Sequence, residues 1–235
     1  MLGHMWQFIR DPQNDFAGET VRTLYLSFVP IALAIAIGIP LGVLVAPRRT
    51  AAFLATNTSG LARAIPTLAF LAIVQPFLGI GVLPTVVALT LLGIPPILLN
   101  TIAGLRGVDP AAVEAARGMG MTAWQVLSRI RIPLVMPVIA AGVRTASVQI
   151  VATVPIAFLI GGGGYGDYIS QGLNLLQTVP LLVGAGGIAL LALIVEIGLA
   201  AVQRTVTPTG LQVREGPGTA EGAAPAAAAE QPVAA

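Results

Sequence analysis

Long apolar runs recur along this chain and limit the folds that it can adopt. A helix needs roughly 20 mainly apolar residues to cross a bilayer, and several runs reach that length. Only 9% of the residues are charged while 56% are hydrophobic, which is too little charge to cover a soluble domain. We therefore predict an all-α, multi-pass transmembrane bundle with five spans, at residues 24–46, 64–82, 84–104, 134–160 and 180–203.

The arginines indicate the orientation of the bundle, because cytoplasmic loops of membrane proteins carry an excess of basic residues. Two arginines, Arg10 and Arg22, fall on one side of the predicted spans. Nine fall on the other side: Arg48, Arg49, Arg63, Arg106, Arg117, Arg129, Arg131, Arg204 and Arg214. We expect an extracytoplasmic segment over 1–23, a transmembrane domain over 24–203 with a cytoplasmic loop at 105–133, and a cytoplasmic tail over 204–235. The tail is mostly Ala, Gly, Pro and Glu, a composition typical of disorder.

Glycine and proline interrupt the apolar spans. Gly79, Ile80 and Gly81 predict a tight turn that joins the second and third spans into a hairpin. Proline removes a helical hydrogen bond, and so many in-span prolines favour bent helices around a pathway. They are Pro30, Pro40, Pro66, Pro76, Pro95, Pro96, Pro137 and Pro155. Span four could break at Pro155, which leaves a count of six spans as an alternative.

Several kinds of chemistry are excluded by residues that the chain lacks. All twelve basic residues are arginine, so a phosphate-binding loop of the GxxxxGK[ST] type is impossible. The chain has no Cys and a single His, His4, which argues against thiolate or His-based metal sites. No paired acids lie within the spans, so an intramembrane enzyme has no visible catalytic set. We expect no bound metal or cofactor, and no nucleic-acid partner.

A charged island, EAARGMGMTAWQVLSRIRIP, runs from Glu114 to Pro133 between apolar spans. Asp109 and Pro110 predict the start of a helix, because Asp caps free amides and Pro suits the first helical position. Gly118 and Gly120 predict the end of that helix. Thr122 and Gln125 then form the pattern of a capping box that opens a second helix.

This island closely resembles the EAA loop of permease subunits from binding-protein-dependent ABC importers. The resemblance lies in Glu114, Ala115, Ala116, Gly120, Ile130 and Pro133 at fixed spacing. It implies that Asp109, Pro110, Glu114, Ala115, Ala116, Gly118, Gly120, Ile130 and Pro133 couple the chain to a separate ATPase. The alternative is an amphipathic loop that only connects two spans. Ile132 stands where many members of the family have Leu, which is a conservative change.

Further segments, over about residues 20–203, are similar to the permeases of osmoprotectant importers. They include Ala64 to Ala69, Leu78 to Gly81, Pro96 to Thr101, Gly107 to Pro110, Ala141 to Arg144, Ile160 to Asp167 and Gln171 to Leu173. The resemblance implies uptake of glycine betaine, carnitine, choline or proline across a bacterial cell membrane. It implies two ATPase subunits that bind the ATP, an extracytoplasmic solute-binding protein, a second copy or homologous permease, and membrane lipid as partners.

Polar side chains within or beside the spans are candidates for the pathway or for a gate: Gln75, Asn100, Arg144, Gln149, Tyr165 and Asp167. Hydrogen bonding between helices is the alternative role for the amides. We predict that Arg144 pairs with Glu196, the only acid well inside a span; otherwise Arg144 lines the pathway alone. The glycine run 161–164 predicts either a flexible turn or a gate and docking surface, with Tyr165, Asp167 and Tyr168 as contacts.

Two other transport functions remain open from the sequence. An importer for another small solute, such as a methionine-type amino acid importer, would share the EAA loop. A stand-alone secondary transporter or channel is disfavoured, because the island is suited to docking a partner. Since aromatic cages hold quaternary ammonium groups and aromatic residues are few here, we expect the high-affinity site to belong to the external binding protein.

Overall fold

The computed structural model describes residues 2–64 and 67–206, and within these ranges the all-α prediction is confirmed, since no strand occurs there. Ten α-helices lie in the described chain: α1 (Leu2–Arg10), α2 (Phe16–Val45), α3 (Arg49–Ala64), α4 (Thr67–Leu78), α5 (Val82–Arg106), α6 (Pro110–Gly118), α7 (Ala123–Val126), α8 (Ile132–Thr153), α9 (Tyr165–Asn174) and α10 (Thr178–Val206). Short 3-10 helices lie at Pro12–Asn14 and Val154–Ile160, and a π-helical turn, Leu127–Arg131, joins α7 to α8.

Four segments of the described chain are long and apolar enough to cross a membrane: Pro12–Val45, Val82–Arg106, Ala123–Ile160 and Thr178–Thr205. They correspond to the first, third, fourth and fifth predicted spans. The predicted second span, 64–82, falls on the end of α3, on two residues outside the described ranges (including Pro66) and on α4. At 12 residues, α4 is only about 18 Å long and is too short to cross a bilayer by itself.

The turns of the bundle lie where glycine and proline predict them. Gly79 and Gly81 have φ of +77° and +126°, and they separate α4 from α5 as the hairpin prediction requires. The helix type changes next to Pro155, where α8 gives way to the 3-10 helix. The following α9 has 10 residues, so this break does not create an additional full span. Residues 207–235, most of the predicted tail, lie outside the described ranges.

The first span begins earlier than residue 24, the start that hydropathy predicts. Asp15 caps α2, because its side chain accepts a hydrogen bond from the amide of Gly18 at 3.2 Å. The helix therefore starts at Phe16 and takes up part of the predicted N-terminal segment. Ahead of it lies α1, a short helix that the hydropathy pattern does not predict.

Helices α2, α5 and α8 form the centre of the bundle, with α9 and α10 packed beside them. Gly38 and Gly42 lie one turn apart on α2 and bring its backbone close to α5. A Cβ on Gly42 would come within 2.6 Å of the Thr101 side chain, so only glycine permits this approach. Around this contact Leu26, Leu89, Ile97, Ile150 and Val154 form a closely packed core.

Helices α2 and α10 present much apolar surface, although α2 also packs at the centre of the bundle. In α5, 61% of the most apolar stretch is buried, against 28% in α2 and in α10. Leu44 is 71% exposed and Ile197 is 60% exposed. Such surface is costly in water and natural in lipid, so the exposure pattern agrees with a membrane bundle that has α5 near its centre.

Candidate coupling loop and membrane cleft

The first part of the charged island folds as a short capped helix. The Asp109 side chain accepts a hydrogen bond from the amide of Ala111 at 2.9 Å, and Pro110 occupies the first turn of α6. These groups satisfy or remove amides that would otherwise lack a partner. The predicted helix start is therefore confirmed.

The glycines end α6 in a Schellman motif. The amide of Met121 donates to the carbonyl of Ala116 at 3.2 Å, and the amide of Gly120 donates to the carbonyl of Arg117 at 2.9 Å. Gly120 has φ of +82°, a conformation that residues with a Cβ rarely adopt. The predicted Gly break is confirmed, and its position is fixed by the conformation of Gly120.

The chain then turns into a second helix that continues toward the membrane. The Thr122 side chain accepts from the amide of Gln125 at 3.3 Å, and the Gln125 side chain accepts from the amide of Thr122 at 2.8 Å. This is the predicted capping box. From Ala123 the helical path runs through the π-helical turn, which contains Ile130, into α8, whose second residue is Pro133.

A small hydrophobic core packs α6 against α7 and the π-helical turn. Val113, Ala116 and Val126 are buried against one another, and Ile130 packs on them. This explains why a small residue is needed at Ala116, which is 1% exposed. The island is therefore a compact helix–turn–helix unit with its own core, suited to moving as one body.

Several side chains of this unit are exposed. We use the name coupling face for Glu114, Ala115, Met119 and Trp124, all of which are exposed. Met119 is 71% exposed and Trp124 is 72% exposed. Neither residue is among the site residues predicted from the sequence, although large apolar side chains in a polar island are a usable signal of a binding surface.

The predicted pair of Arg144 and Glu196 is present and links α8 to α10. Nε of Arg144 donates to Oε1 of Glu196 at 2.8 Å, and a terminal nitrogen of the same guanidinium also contacts that oxygen. Another nitrogen of Arg144 lies 3.5 Å from the side-chain oxygen of Gln203. The Gln203 amide nitrogen in turn lies 3.5 Å from the carbonyl of Pro137.

The pair faces an open cleft of about 550 Å³ between α8 and α10, which we call the membrane cleft. Its lining comprises Ala141, Arg144, Thr145, Val148, Gln149, Ala152, Glu196 and Gln203. Two of the predicted pathway residues, Arg144 and Gln149, thus lie together. Five of these eight residues are polar although both helices are strongly apolar, so the polar side chains are concentrated at the cleft.

Two other predicted pathway residues lie apart from the membrane cleft. Asn100 donates to the carbonyl of Pro96 at 2.8 Å. A Cβ on Gly142 would come within 2.6 Å of the Asn100 side chain, so Asn100 lies in the contact between α5 and α8. That position agrees with the alternative role in helix packing. Gln75 lies on α4 and is partly buried.

The glycine run at 161–164 forms a bonded turn at the end of the bundle opposite the coupling face. The amide of Gly164 donates to Glu19 of α2 at 2.5 Å, and the amide of Tyr165 donates to the Thr23 hydroxyl at 2.9 Å. Gly81, just before α5, donates its amide to the carbonyl of Ile160 at 2.7 Å. Two helices therefore hold this turn in place.

The aromatic residues after the glycine run belong to the packing of the bundle. Tyr165 and Tyr168 are 7% and 4% exposed, and they stack with Phe16 of α2. The Tyr168 hydroxyl donates to the carbonyl of Asn14 at 2.5 Å, and burial raises the pKa of this phenol to about 12. Of the three contact residues that the sequence predicts here, the two tyrosines are thus covered by the chain itself.

Asp167 is the exposed member of that predicted set. Protein atoms around its carboxyl raise the pKa, and the positive charge of Arg22 lowers it in part. The residue offers a carboxyl at the surface beside the glycine turn, where a second protein could reach it.

Comparison with known proteins assigns the chain to a protein family. A family model described as the binding-protein-dependent transport system inner membrane component matches residues 38–208, which is most of the chain. The chain belongs to this family. This permease subunit is 37% identical over 211 residues to the glycine betaine/carnitine/choline transport system permease protein OpuCB of Bacillus subtilis (strain 168), covering 90% of this chain and 97% of the relative.

A second relative and a solved structure agree with this membership. The permease subunit is 38% identical over 210 residues to the carnitine transport permease protein OpuCB of Listeria monocytogenes, covering 89% of this chain and 96% of the relative. A structure of the MetNI methionine ABC transporter in an inward-facing conformation matches 80% of this chain and 94% of that chain, with a TM-score of 0.69 and 23% identity. The likeness to the solved structure shows a shared fold.

Family membership makes the permease subunit an inner-membrane transport component of a system that includes a binding protein. It is a transport subunit and not the ATPase, in agreement with the absence of lysine from the sequence. The expected membrane location is confirmed by the family and by the four span-length helices in the described residues.

Proposed function

We propose that this permease subunit forms the translocation pathway of an ATP-driven importer for quaternary-amine osmoprotectants such as glycine betaine, carnitine or choline. One observation carries the proposal: the chain matches nearly the whole length of permeases named for these solutes, at 37% and 38% identity. The likeness to the methionine transporter supports the fold and carries no argument about the solute, because its identity is 23%.

The coupling face is the surface that we assign to a separate ATPase subunit. Its helix α6 is short, capped at its start and fixed at its end by the Schellman motif. An exposed apolar pair, Met119 and Trp124, beside a carboxylate at Glu114, suits a groove that is apolar with a basic rim. The small side chain of Ala115 permits close approach. Movement of the ATPases on binding ATP would then shift α6 and, through the continuous helix from Ala123, would shift α8.

A second permease, either another copy or a homologous chain, would complete the pathway. The membrane cleft of one chain is open on the side away from α8 and α10, and it exposes polar groups that lipid would not solvate. A facing permease would cover this surface and enclose an aqueous route. At the other end of the bundle, Asp167 beside the glycine turn is the exposed carboxyl that we assign to contact with the solute-binding protein.

Uptake by whole cells tests both the solute and the coupling role. The permease is expressed with its ATPase and binding protein in cells that lack their own betaine systems, at high external osmolarity. Uptake of radiolabelled glycine betaine and choline is compared between the wild type and Glu114→Arg. We expect the wild type to accumulate at least one of the two solutes. We expect Glu114→Arg to lose about tenfold or more of that uptake, because reversed charge at a docking contact is strongly unfavourable.

A matched control separates docking from a general effect of charge. Asp11→Arg makes the same change of charge at an exposed residue near the N-terminus, and it should retain most of the uptake. If a wild-type complex with ATPase activity accumulates neither solute, the assignment of substrate is wrong. If Glu114→Arg transports as well as Asp11→Arg, the assignment of the coupling face is wrong.

A further inference from the structure

The ion pair of Arg144 and Glu196 lies near the middle of the membrane spans. Arg144 is twelve residues after the start of α8, which places it about 18 Å along the helix at 1.5 Å per residue. Glu196 is ten residues before the end of α10, or about 15 Å from that end. A bilayer core is about 30 Å thick, so two separate helices bring opposite charges to one depth near its centre.

The pair is not sealed inside the bundle. The side chains of Arg144 and Glu196 are 37% and 35% exposed, and both open onto the membrane cleft. A pair whose only role is to join two helices is better covered by packing, because charges exposed to hydrocarbon are costly. This exposure at mid-depth is explained when the cleft faces a water-containing pathway.

The surroundings of the pair suit a small polar solute. The cleft of about 550 Å³ lies within the size range of sites for small molecules. Small side chains, Ala141 and Ala152, leave space along α8, and Thr145 and Gln149 add groups that can hydrogen-bond. A guanidinium and a carboxylate therefore lie side by side on the wall of a cleft large enough for a solute.

We propose that Arg144 and Glu196 form a charge-reading site for the solute during its passage, an inference that rests on the proposed function. A solute such as glycine betaine carries a quaternary ammonium and a carboxylate. The ammonium has no N–H to donate, so Coulomb attraction to the Glu196 carboxylate is the interaction available to it. The planar guanidinium of Arg144 matches the carboxylate of the solute in geometry and in charge.

The existing pair makes such a site weak, which suits transport. The solute has to compete with the bond between Arg144 and Glu196, so binding in the cleft replaces one charge contact by two. Conduction requires binding that is favourable enough for entry and weak enough for release. A choline-like solute, which is cationic and has no carboxylate, uses Glu196 alone and leaves the guanidinium without an anionic partner.

This difference between the two solutes gives the test. Uptake of radiolabelled glycine betaine and choline is measured with the complete transport system for wild type, Arg144→Gln and Glu196→Gln, each normalised to the amount of permease in the membrane. Arg144→Gln should lower the ratio of betaine to choline uptake about tenfold, as for the loss of one hydrogen bond to a charged group. Glu196→Gln should lower the uptake of both solutes and leave the ratio near its wild-type value, because each solute loses the same contact with its ammonium.

The control and the alternatives are distinguishable. Thr90→Val removes a buried hydroxyl that bonds only within α5, so it should leave the ratio unchanged. If a Gln variant is missing from the membrane, Arg144→Lys and Glu196→Asp keep the charges and change the geometry, and they should give the same two results in weaker form. A pair that only joins helices would lower uptake of both solutes in equal proportion in Arg144→Gln as well, and an unchanged ratio in that variant overturns the inference alone. Failure of the wild type to take up either solute overturns the inference together with the substrate assignment.

Discussion

Thr23 illustrates how a single hydroxyl ties the glycine turn to α2. Its side chain is 1% exposed; it donates to the carbonyl of Glu19 at 2.8 Å and accepts from the amide of Tyr165 at 2.9 Å. The amide of Tyr165 is buried, so it depends on this one oxygen. A buried donor without a partner costs more than the average hydrogen bond contributes.

We expect Thr23→Val to lower the free energy of unfolding by about 1–3 kcal/mol, because it keeps the shape of the side chain and leaves the Tyr165 amide unpaired. Thr90→Val is the matched control, since the Thr90 hydroxyl only donates to the carbonyl of Val86 within its own helix. Equilibrium unfolding of the purified permease in mixed detergent micelles measures the difference. Equal losses in the two variants would contradict the assigned role of the Thr23 oxygen.

Gly118 and Gly120 are two residues apart, and they have different roles in the loop. A Cβ on either would meet no atom within 4 Å, but only Gly120 has a positive φ, at +82°. We expect Gly120→Ala to destabilise the end of α6 by about 1 kcal/mol and Gly118→Ala to be neutral or slightly stabilising. Hydrogen exchange of amides in 110–121 reports this locally. Faster exchange in Gly118→Ala than in Gly120→Ala would rule out the backbone explanation.

Sequence reasoning succeeded for residues whose role is local. The cap at Asp109, the turn at Gly120 and the capping box at Thr122 follow from neighbours within a few positions. It did not predict the burial of Tyr165 and Tyr168, which depends on Phe16, a residue about 150 positions earlier in the chain. The pair of Arg144 and Glu196 was an exception among distant contacts, because opposite charges in apolar spans have few possible partners.

At the scale of elements, the contact between α2 and α5 depends on the absence of side-chain atoms at Gly38 and Gly42. A Cβ at position 42 would lie 2.6 Å from carbons of Thr101, a distance that real Cβ atoms do not show. The two helices would have to move apart, and the core around Ile97 would lose packing. Close approach of this kind holds membrane helices together where the hydrophobic effect does not.

We expect Gly42→Ala to lower the free energy of unfolding by about 1–3 kcal/mol, the usual cost of overpacking a tight contact. Gly198→Ala on α10 is the control, because a Cβ there meets no atom within 4 Å. Alanine also favours the helix over glycine, so the control should be neutral or slightly more stable. Thermal unfolding in detergent compares the two, and equal stability of Gly42→Ala and wild type would show that α2 and α5 are not locked at this point.

Hydropathy predicted the long elements better than the short ones. Four of the five predicted spans have span-length helices, since each is a continuous apolar segment. The N-terminal helix α1, the early start of α2 at Phe16 and the 12-residue length of α4 were not predicted. Their ends are set by caps and by packing against other helices, which hydropathy does not report.

At the scale of the whole molecule, the surfaces to which we assign functions lie at three levels of one bundle. The coupling face lies at one end, the membrane cleft lies between α8 and α10 near mid-depth, and the glycine turn lies at the other end. The helical path from Ala123 to Ile160 runs past all three levels. A displacement of α6 can therefore reach the cleft and the glycine turn through one continuous segment.

The measurement that tests the central claim most directly is uptake into proteoliposomes that contain the permease, its ATPase and its binding protein. Radiolabelled glycine betaine is supplied on the side of the binding protein, and ATP is supplied on the side of the ATPase. We predict accumulation that requires ATP and the ATPase subunit and that is lost with Glu114→Arg. Accumulation by the permease in the absence of the ATPase subunit would contradict the claim and would indicate a transporter that works alone.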